Sequence, residues 1–200
     1  MCSPDLSPVI WADRLFVTSA VRKGHESELR VGLYGDIAPV EGEGVHAMQL
    51  LCLNKRTGEV LWERTAWTGE PKIMRHPKGS HAASTPATDG QKVVALFASE
   101  GLYCYDMQGA LLWSRDLGIL DSGYYVVPTA QWGFASSPVI HDGKVIVQCD
   151  VQGESFLPAL GTENGTEHWR AARAEGPTVG TPTAHVRAGR AHVSSKGYKH

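Results

Sequence analysis

The sequence has no long apolar segment and no excess of either charge. Its longest apolar runs, such as 93–97, are far shorter than the roughly 20 residues that a membrane-spanning helix needs. The 19 lysines and arginines nearly balance the 21 aspartates and glutamates, which gives a formal net charge of -2. Nucleic acids and anionic membranes both bind basic patches, so this balance argues against either as the main partner. The sequence therefore predicts no membrane span and no nucleic-acid binding.

Cysteines are few, and a targeting signal is missing from the opening residues. The four cysteines, at positions 2, 52, 104 and 149, include no adjacent pair and no Cys-x-x-Cys motif. This spacing predicts neither a disulfide framework nor a zinc or redox pair, and it favours small buried thiols within strands. The first eight residues contain no basic and no apolar stretch, so no signal peptide is predicted there.

Glycine and proline are plentiful, with 22 and 11 among 200 residues, which favours short strands joined by turns. Three segments, 52–62, 104–113 and 159–169, share one pattern of a strand, a glycine-closed turn and a second strand carrying tryptophan. Glycine is needed because such hairpin turns require positive φ. The tryptophans recur about every 50 residues, a spacing typical of one four-stranded propeller blade plus a connection. The glycines are Gly58, Gly109 and Gly165, and the tryptophans are Trp62, Trp113 and Trp169.

A second hairpin precedes each of these segments. It begins with Ser-Pro or Thr-Pro, and in two copies an Asp-Gly pair, the strongest short-range hairpin signal, lies between apolar runs. Each unit is then four antiparallel strands, and no segment shows a long helical stripe. We predict an all-β fold with one propeller domain over 1–200. Its blades are expected at 7–66 with an insertion at 20–47, at 84–116, at 136–172 and, incomplete, at 180–200.

The tryptophan-bearing hairpin resembles the tryptophan-docking motif of PQQ-binding-like β-propeller repeats, in the quinoprotein alcohol dehydrogenase-like superfamily. That family writes the motif Ala-x-Asp-x-x-Thr-Gly-Lys-x-x-Trp, and cysteine replaces the alanine in two of the three copies here. The resemblance implies that each tryptophan stacks on the turn glycine of the next blade. Trp62 would then cover Gly109, Trp113 would cover Gly165, and Trp169 would be more exposed. The matching residues are Cys52, Asn54, Thr57, Gly58 and Trp62, then Cys104, Asp106, Gly109 and Trp113, then Ala159, Gly165 and Trp169.

The resemblance also has consequences for the extent of the protein. Propellers of this family close about six to eight blades into a ring. Three and a half blades cannot close, because an open propeller leaves blade faces uncovered. The chain is therefore expected to be a fragment whose partners include the missing blades, and the resemblance implies an exported parent protein, periplasmic or secreted.

Family members that bind PQQ carry an adjacent cysteine pair over the cofactor, a tryptophan floor, and acidic and amide ligands for calcium. No cysteines are adjacent here, and no spacing singles out Asp36, Asp121 or Asp150 as a catalytic base. We therefore expect no catalytic residue and no cofactor from this chain. We expect it to act as a scaffold or as a module that binds a ligand or a protein. The alternative is a fragment of a PQQ-dependent alcohol or sugar dehydrogenase, an oxidoreductase that uses PQQ with calcium.

Two long connections, 67–83 and 117–135, hold the candidate binding residues. Both join the outer strand of one blade to the inner strand of the next, so both should lie on one face of the ring. Clustered aromatic and polar side chains there suit recognition of a protein or small molecule, or else pack over the blade ends. His76 and His81, five residues apart around a proline, are not spaced for one metal ion, so no metal site is predicted. The candidates are His76, Lys78, His81, Asp121, Tyr124, Tyr125, Gln131 and Trp132.

Overall fold

The computed structural model describes residues 7–24, 39–40, 42–77, 79–124 and 127–197, without the side chains of 124 and 127–130. These residues are almost entirely β, with one 3-10 turn at Ala98–Glu100. No helix among them is long and apolar enough to cross a membrane. Three antiparallel sheets of four strands follow one another along the chain, each with its strands in chain order. The prediction of an all-β, partial β-propeller is confirmed.

The first sheet holds β1 (Val9–Trp11), β2 (Arg14–Arg22), β3 (His46–Asn54) and β4 (Val60–Gly69). The second sheet holds β5 (Ala87–Thr88), β6 (Lys92–Leu96), β7 (Leu102–Asp106) and β8 (Leu111–Arg115). A small hairpin of β9 (Gly123–Tyr124) and β10 (Val127–Gln131) follows. The third sheet holds β11 (Val139–His141), β12 (Lys144–Ile146), β13 (Ser155–Gly161) and β14 (Glu167–Arg173). A last hairpin pairs β15 (Thr183–Arg187) with β16 (Arg190–Ser194).

The first sheet is longer than its repeat predicts. Ala20, Val21 and Arg22 pair with Met48, Ala47 and His46, so β2 and β3 extend into the range 20–47 that the sequence assigns to an insertion. The first three residues of β3 are all buried, and each pairs with a residue of β2, so the sheet continues to the start of β3. The connection between the two strands is therefore shorter than predicted, and most of it lies outside the described residues.

The sheets pack side by side around their first strands. β5 contacts β1 on one side and β11 on the other, and β11 also contacts β15. Every residue of β6 is buried, because the second sheet is covered on both faces. Val93 and Ala95 face the first sheet, whereas Val94 and Leu96 face the third. Burial of each large apolar side chain contributes about 1.5–3 kcal/mol relative to an exposed one, so these two seams form the core.

The outer strand of the first sheet is joined to the second sheet through Trp62. Its indole lies against Gly109, where an added Cβ would come within 2.9 Å of the ring. The indole Nε1 donates a hydrogen bond to the Met107 carbonyl oxygen at 3.1 Å. Two residues later, Arg64 donates from Nε to the Gly109 carbonyl oxygen at 2.7 Å. Tryptophan and arginine thus hold the same turn.

The second and third sheets meet in the same way. Trp113 lies against Gly165, where an added Cβ would come within 2.7 Å of the indole, and its Nε1 donates to the Thr162 carbonyl oxygen at 2.8 Å. Arg115 donates from Nε to the Gly165 carbonyl oxygen at 2.8 Å. Trp113 is 7% exposed, whereas Trp169 of the third sheet is 38% exposed.

Connections alternate between two faces of the structure, because neighbouring strands are antiparallel and follow chain order. The turn face carries the short hairpin turns, such as 55–58, 107–110 and 162–166. The loop face carries the longer connections 70–86 and 116–138, together with the segment that leads into β3 and the 3-10 turn. Gly109 and Gly165 lie on the turn face, and the predicted binding residues that the structure describes lie in the loop-face connections.

Candidate functional site

The two long connections of the loop face contact each other directly. His76, in the first connection, stacks on Trp132, which follows β10 in the second, with ring centroids 5.6 Å apart and an interplanar angle of 10°. Both side chains are half-buried. Two residues that the sequence predicts separately are thus brought together, and the stack joins the connections that leave successive sheets.

A buried charged group, which we call the Glu43 cluster, lies beside the same connection and comprises Glu43, His46, Arg75 and His81. Arg75 donates to Glu43 Oε1 from Nη2 at 2.6 Å and from Nε at 2.9 Å. His81 Nε2 lies 2.7 Å from the other carboxylate oxygen, Oε2. The His46 and His81 rings are 5.2 Å apart, edge to face. Both oxygens of this buried carboxylate therefore have partners, as a buried charge requires.

Local backbone structure sets these four side chains in place. Gly42 and Gly44, on either side of Glu43, both have positive φ, which turns the chain sharply before β3 begins at His46. The Val40 amide donates to the Arg75 carbonyl oxygen at 3.0 Å, so the segment before β3 pairs with the connection that carries Arg75. His46 is held by a 3.0 Å hydrogen bond between its Nδ1 and the Gly44 carbonyl oxygen.

The electrostatics of the cluster favour an ionised carboxylate beside neutral imidazole. Burial alone would raise the pKa of Glu43, but the hydrogen bond with His81 and the charge and hydrogen bond of Arg75 outweigh it and lower the pKa to about 2. Burial lowers the pKa of His46, and its hydrogen bond to the Gly44 carbonyl opposes that shift only in part. Glu43 is therefore anionic and His46 is neutral near pH 7.

A cleft lies where the two connections meet the 3-10 turn. Its walls include Met74 and His81 from the first connection, Glu100 from the turn, and Leu120 and Phe134 from the second connection. Glu100 is fixed there because its Oε1 accepts a 2.9 Å hydrogen bond from the Lys72 amide. The cleft thus combines apolar walls with charged groups at fixed positions, and it is small, with room for about one water molecule.

The other predicted residues are divided among separate contacts. Asp121 Oδ1 accepts hydrogen bonds from Gln131 Nε2 at 2.8 Å and from the Gly123 amide at 2.9 Å, so this pair braces the hairpin of β9 and β10. The Tyr124 backbone pairs with Val127, and its side chain is outside the description. Lys78 and Tyr125 lie outside the described residues.

Sequence reasoning misses three members of the Glu43 cluster. Glu43 and His46 fall in the predicted insertion, and Arg75 adjoins His76 without any motif of its own. His81 is brought to Glu43 and His46, a pairing that its spacing from His76 does not suggest. The local signal is the Gly-Glu-Gly sequence at 42–44, because two flexible residues around one charge indicate a sharp turn.

A second buried carboxylate, Asp150, joins the third sheet to the last hairpin. Its carboxylate accepts hydrogen bonds from Arg173 Nε at 2.6 Å, from Thr178 Oγ1 at 2.6 Å and from Gln148 Nε2 at 2.7 Å. Gln148 Nε2 also donates to the Lys196 carbonyl oxygen at 2.8 Å. These hydrogen bonds connect the third sheet to the segment 178–196, so we interpret the group as structural.

The described residues do not fit a PQQ site built on adjacent cysteines. Cys52 and Cys104 lie in the first and second sheets, and Cys149 lies beside the third; all three are free and buried. Burial raises the pKa of all three thiols, and that of Cys104 reaches about 12. Cys2 lies outside the described residues.

Comparison with protein families gives a match over residues 46–196 to the family described as "Outer membrane protein assembly factor BamB", in its PQQ-like repeat form. This range is more than half of the chain. The chain therefore belongs to the PQQ-like β-propeller family, which confirms the resemblance found in its repeats. No curated protein sequence matches it.

Comparison with solved structures gives matches at low sequence identity, and the first of these supports the shared fold. A europium-containing methanol dehydrogenase is 14% identical, with a TM-score of 0.53 over 88% of this chain and 27% of its own. BamB from Moraxella catarrhalis is 16% identical, with a TM-score of 0.49 over 96% of this chain and 58% of its own. Quinohemoprotein alcohol dehydrogenase from Comamonas testosteroni is 14% identical, with a TM-score of 0.47 over 83% and 20%. The chain thus spans less than two thirds of the length of each.

Proposed function

We propose that this chain is part of a PQQ-like β-propeller that acts as a binding scaffold and engages a protein partner through its loop face. The observation that carries the proposal is the junction of connections 70–86 and 116–138, where His76 stacks on Trp132 beside a cleft of mixed polarity. A junction held by stacking and buried ion pairs is already ordered, so a partner that binds it loses little conformational entropy.

Exposed apolar side chains beside this junction supply the contact area. Met74 is 39% exposed and Ile119 is 56% exposed, one on each connection. Apolar groups beside fixed charges are typical of protein recognition surfaces. The family's description as an assembly factor for outer membrane proteins supports a protein as the partner and, with it, an exported location.

The test is site-specific photo-crosslinking of the full chain in its native cells. A photoreactive residue at Met74 or Ile119 should crosslink the same protein, and His76→Ala or Trp132→Ala should reduce the yield at least about threefold. The matched controls are Val60 and Leu111, which are 50% and 55% exposed and lie near the turn face. Equal crosslinking from the turn-face positions, or none from the loop face, would contradict the proposal.

The dehydrogenase alternative has its own experiment. PQQ with calcium chloride is added to the full chain, and the absorbance of the quinone is compared with that of free PQQ. We expect identical spectra, because the described cysteines are separate buried thiols. A shifted spectrum with one equivalent bound would favour an oxidoreductase over the scaffold.

A further inference from the structure

Two imidazoles and one carboxylate meet in a single buried place on the loop face. One carboxylate oxygen of Glu43 and one ring nitrogen each of His46 and His81 lie within 4.8 Å of one another. Glu43 and His46 are buried, and the His81 side chain is only 8% exposed. Two histidines with one glutamate form a ligand set that zinc prefers. We propose that Glu43, His46 and His81 bind a zinc ion, a site independent of the scaffold function.

The hydrogen bonds around the three residues suit them as ligands. A carbonyl oxygen only accepts, so the bond between His46 and Gly44 keeps the proton of neutral His46 on Nδ1 and leaves the Nε2 lone pair to bind a metal. Arg75 occupies Oε1 of Glu43, which leaves Oε2 as the ligand atom. In most protein metal sites, hydrogen bonds of this kind orient the side chains that bind the metal directly.

Zinc requires the three ligand atoms to move, because they lie within 4.8 Å of one another and must reach separations of roughly 3.3 Å. His81 Nε2 and Glu43 Oε2 are 2.7 Å apart, whereas two tetrahedral ligands at about 2.0–2.1 Å from zinc are separated by roughly 3.3 Å. The ion must therefore separate the two atoms by about 0.6 Å and bind the Nε2 lone pair of the His81 tautomer that carries its hydrogen on Nδ1. His81 lies on a connection rather than in a strand, so it can make this shift without breaking a sheet.

The neighbouring charges define the kind of site. The guanidinium of Arg75 on the same carboxylate repels a divalent cation, so the affinity should be well below that of closed four-ligand structural sites. Three protein ligands leave one tetrahedral position for water or another small ligand. His81 also lines the cleft between the two connections, so the cluster borders the proposed binding surface.

The experiment is titration of zinc chloride into the full chain at pH 7.5 by calorimetry, with thermal melting in parallel. We expect one zinc per chain and a rise in Tm. His81→Ala, His46→Ala and Glu43→Gln should each lower the affinity at least about tenfold. Glu43→Gln keeps the side-chain shape, and circular dichroism of each variant without zinc shows whether it folds. Cobalt substitution should give a tetrahedral visible absorbance that the same variants lose.

Two control variants distinguish this cluster from other histidines. His141→Ala removes an imidazole outside the cluster, at the end of β11, and should leave zinc binding unchanged. His192→Ala disrupts a stacked pair with His185 on the last hairpin, where the rings are 5.5 Å apart. Zinc binding that survives Glu43→Gln and His81→Ala but disappears in His192→Ala would overturn the proposal. So would a folded wild-type chain that binds no zinc.

Discussion

At the scale of single residues, the turn glycines and the tryptophans that lie on them are matched in shape. Gly58 and Gly165 both have positive φ, but only Gly165 lies against an indole. At Gly58 an added Cβ would meet nothing within 4 Å, whereas at Gly165 it would come within 2.7 Å of Trp113. The two positions therefore separate backbone strain from loss of the indole contact.

Gly165→Ala should consequently destabilise the chain more than Gly58→Ala. Both substitutions add strain of about 1–2 kcal/mol in the left-handed region. Gly165→Ala should add a further ~1–3 kcal/mol because the indole of Trp113 must move. Chemical denaturation followed by tryptophan fluorescence measures both variants against the wild type. Equal losses of unfolding free energy would show that the indole contact contributes nothing.

The buried cysteines lead to a second residue-scale prediction. The thiolate is the reactive form, and a pKa of about 12 leaves almost none of Cys104 ionised at pH 8. Cys52, Cys104 and Cys149 should resist iodoacetamide in the folded chain and react in guanidinium chloride. Peptide mass spectrometry after timed labelling measures each site separately. Rapid labelling of Cys104 without denaturant would contradict both its burial and its raised pKa.

At the scale of elements, the hairpin turns are held by pairs of side chains from the preceding sheet. Arg64 and Arg115 each lie two residues after a docking tryptophan and donate to the turn glycine that this tryptophan covers. In the third sheet the corresponding residue is Ala171, and Trp169 precedes it. An arginine therefore follows the two tryptophans whose indoles contact a turn of the next sheet, and it is missing after Trp169.

Arg115→Met should loosen the turn at 162–166. Loss of its hydrogen bonds to two carbonyl oxygens should cost about 0.5–1.5 kcal/mol each and increase amide hydrogen exchange in that turn. Arg56→Met is the matched control, because Arg56 is a highly exposed arginine of a turn in the first sheet. Unchanged exchange at 162–166 would show that Trp113 alone holds the turn.

The strands were predictable from the sequence, and the loop-face contacts were not. Asp-Gly pairs, alternating apolar residues and recurring tryptophans are local signals, and the hairpins at 87–96 and 139–146 follow them. Glu43 and His81 are far apart in the chain, and neither lies in a repeat. Their contact depends on how the connection 70–86 returns over β3, which no local pattern encodes. The stack of His76 on Trp132 depends on the same path.

At the scale of the whole molecule, the third sheet and the segment that follows it expose apolar side chains that no other described residue covers. Trp169, Val179 and Val186 are 38%, 58% and 64% exposed. Groups of exposed apolar side chains mark interaction surfaces and promote association. The repeats imply that further blades of the same propeller would cover such a surface.

The isolated 200-residue chain should therefore self-associate. Sedimentation velocity over a range of concentrations should show species larger than 21.7 kDa, and Val186→Lys should reduce them. Val60→Lys, at a similarly exposed position of the first sheet, should have no such effect. A monodisperse monomer that unfolds cooperatively would refute the association.

The separation of the two faces affects how such a chain can change over evolutionary time. Contacts between sheets depend on glycines, tryptophans and arginines of the turn face, whereas the stack, the cleft and the Glu43 cluster lie on the loop face. Substitutions at exposed positions of the loop-face connections, such as Met74 and Ile119, therefore leave the seams between sheets intact. Selection can diversify one face while it preserves the other, so a single architecture can acquire new specificities without losing its stability.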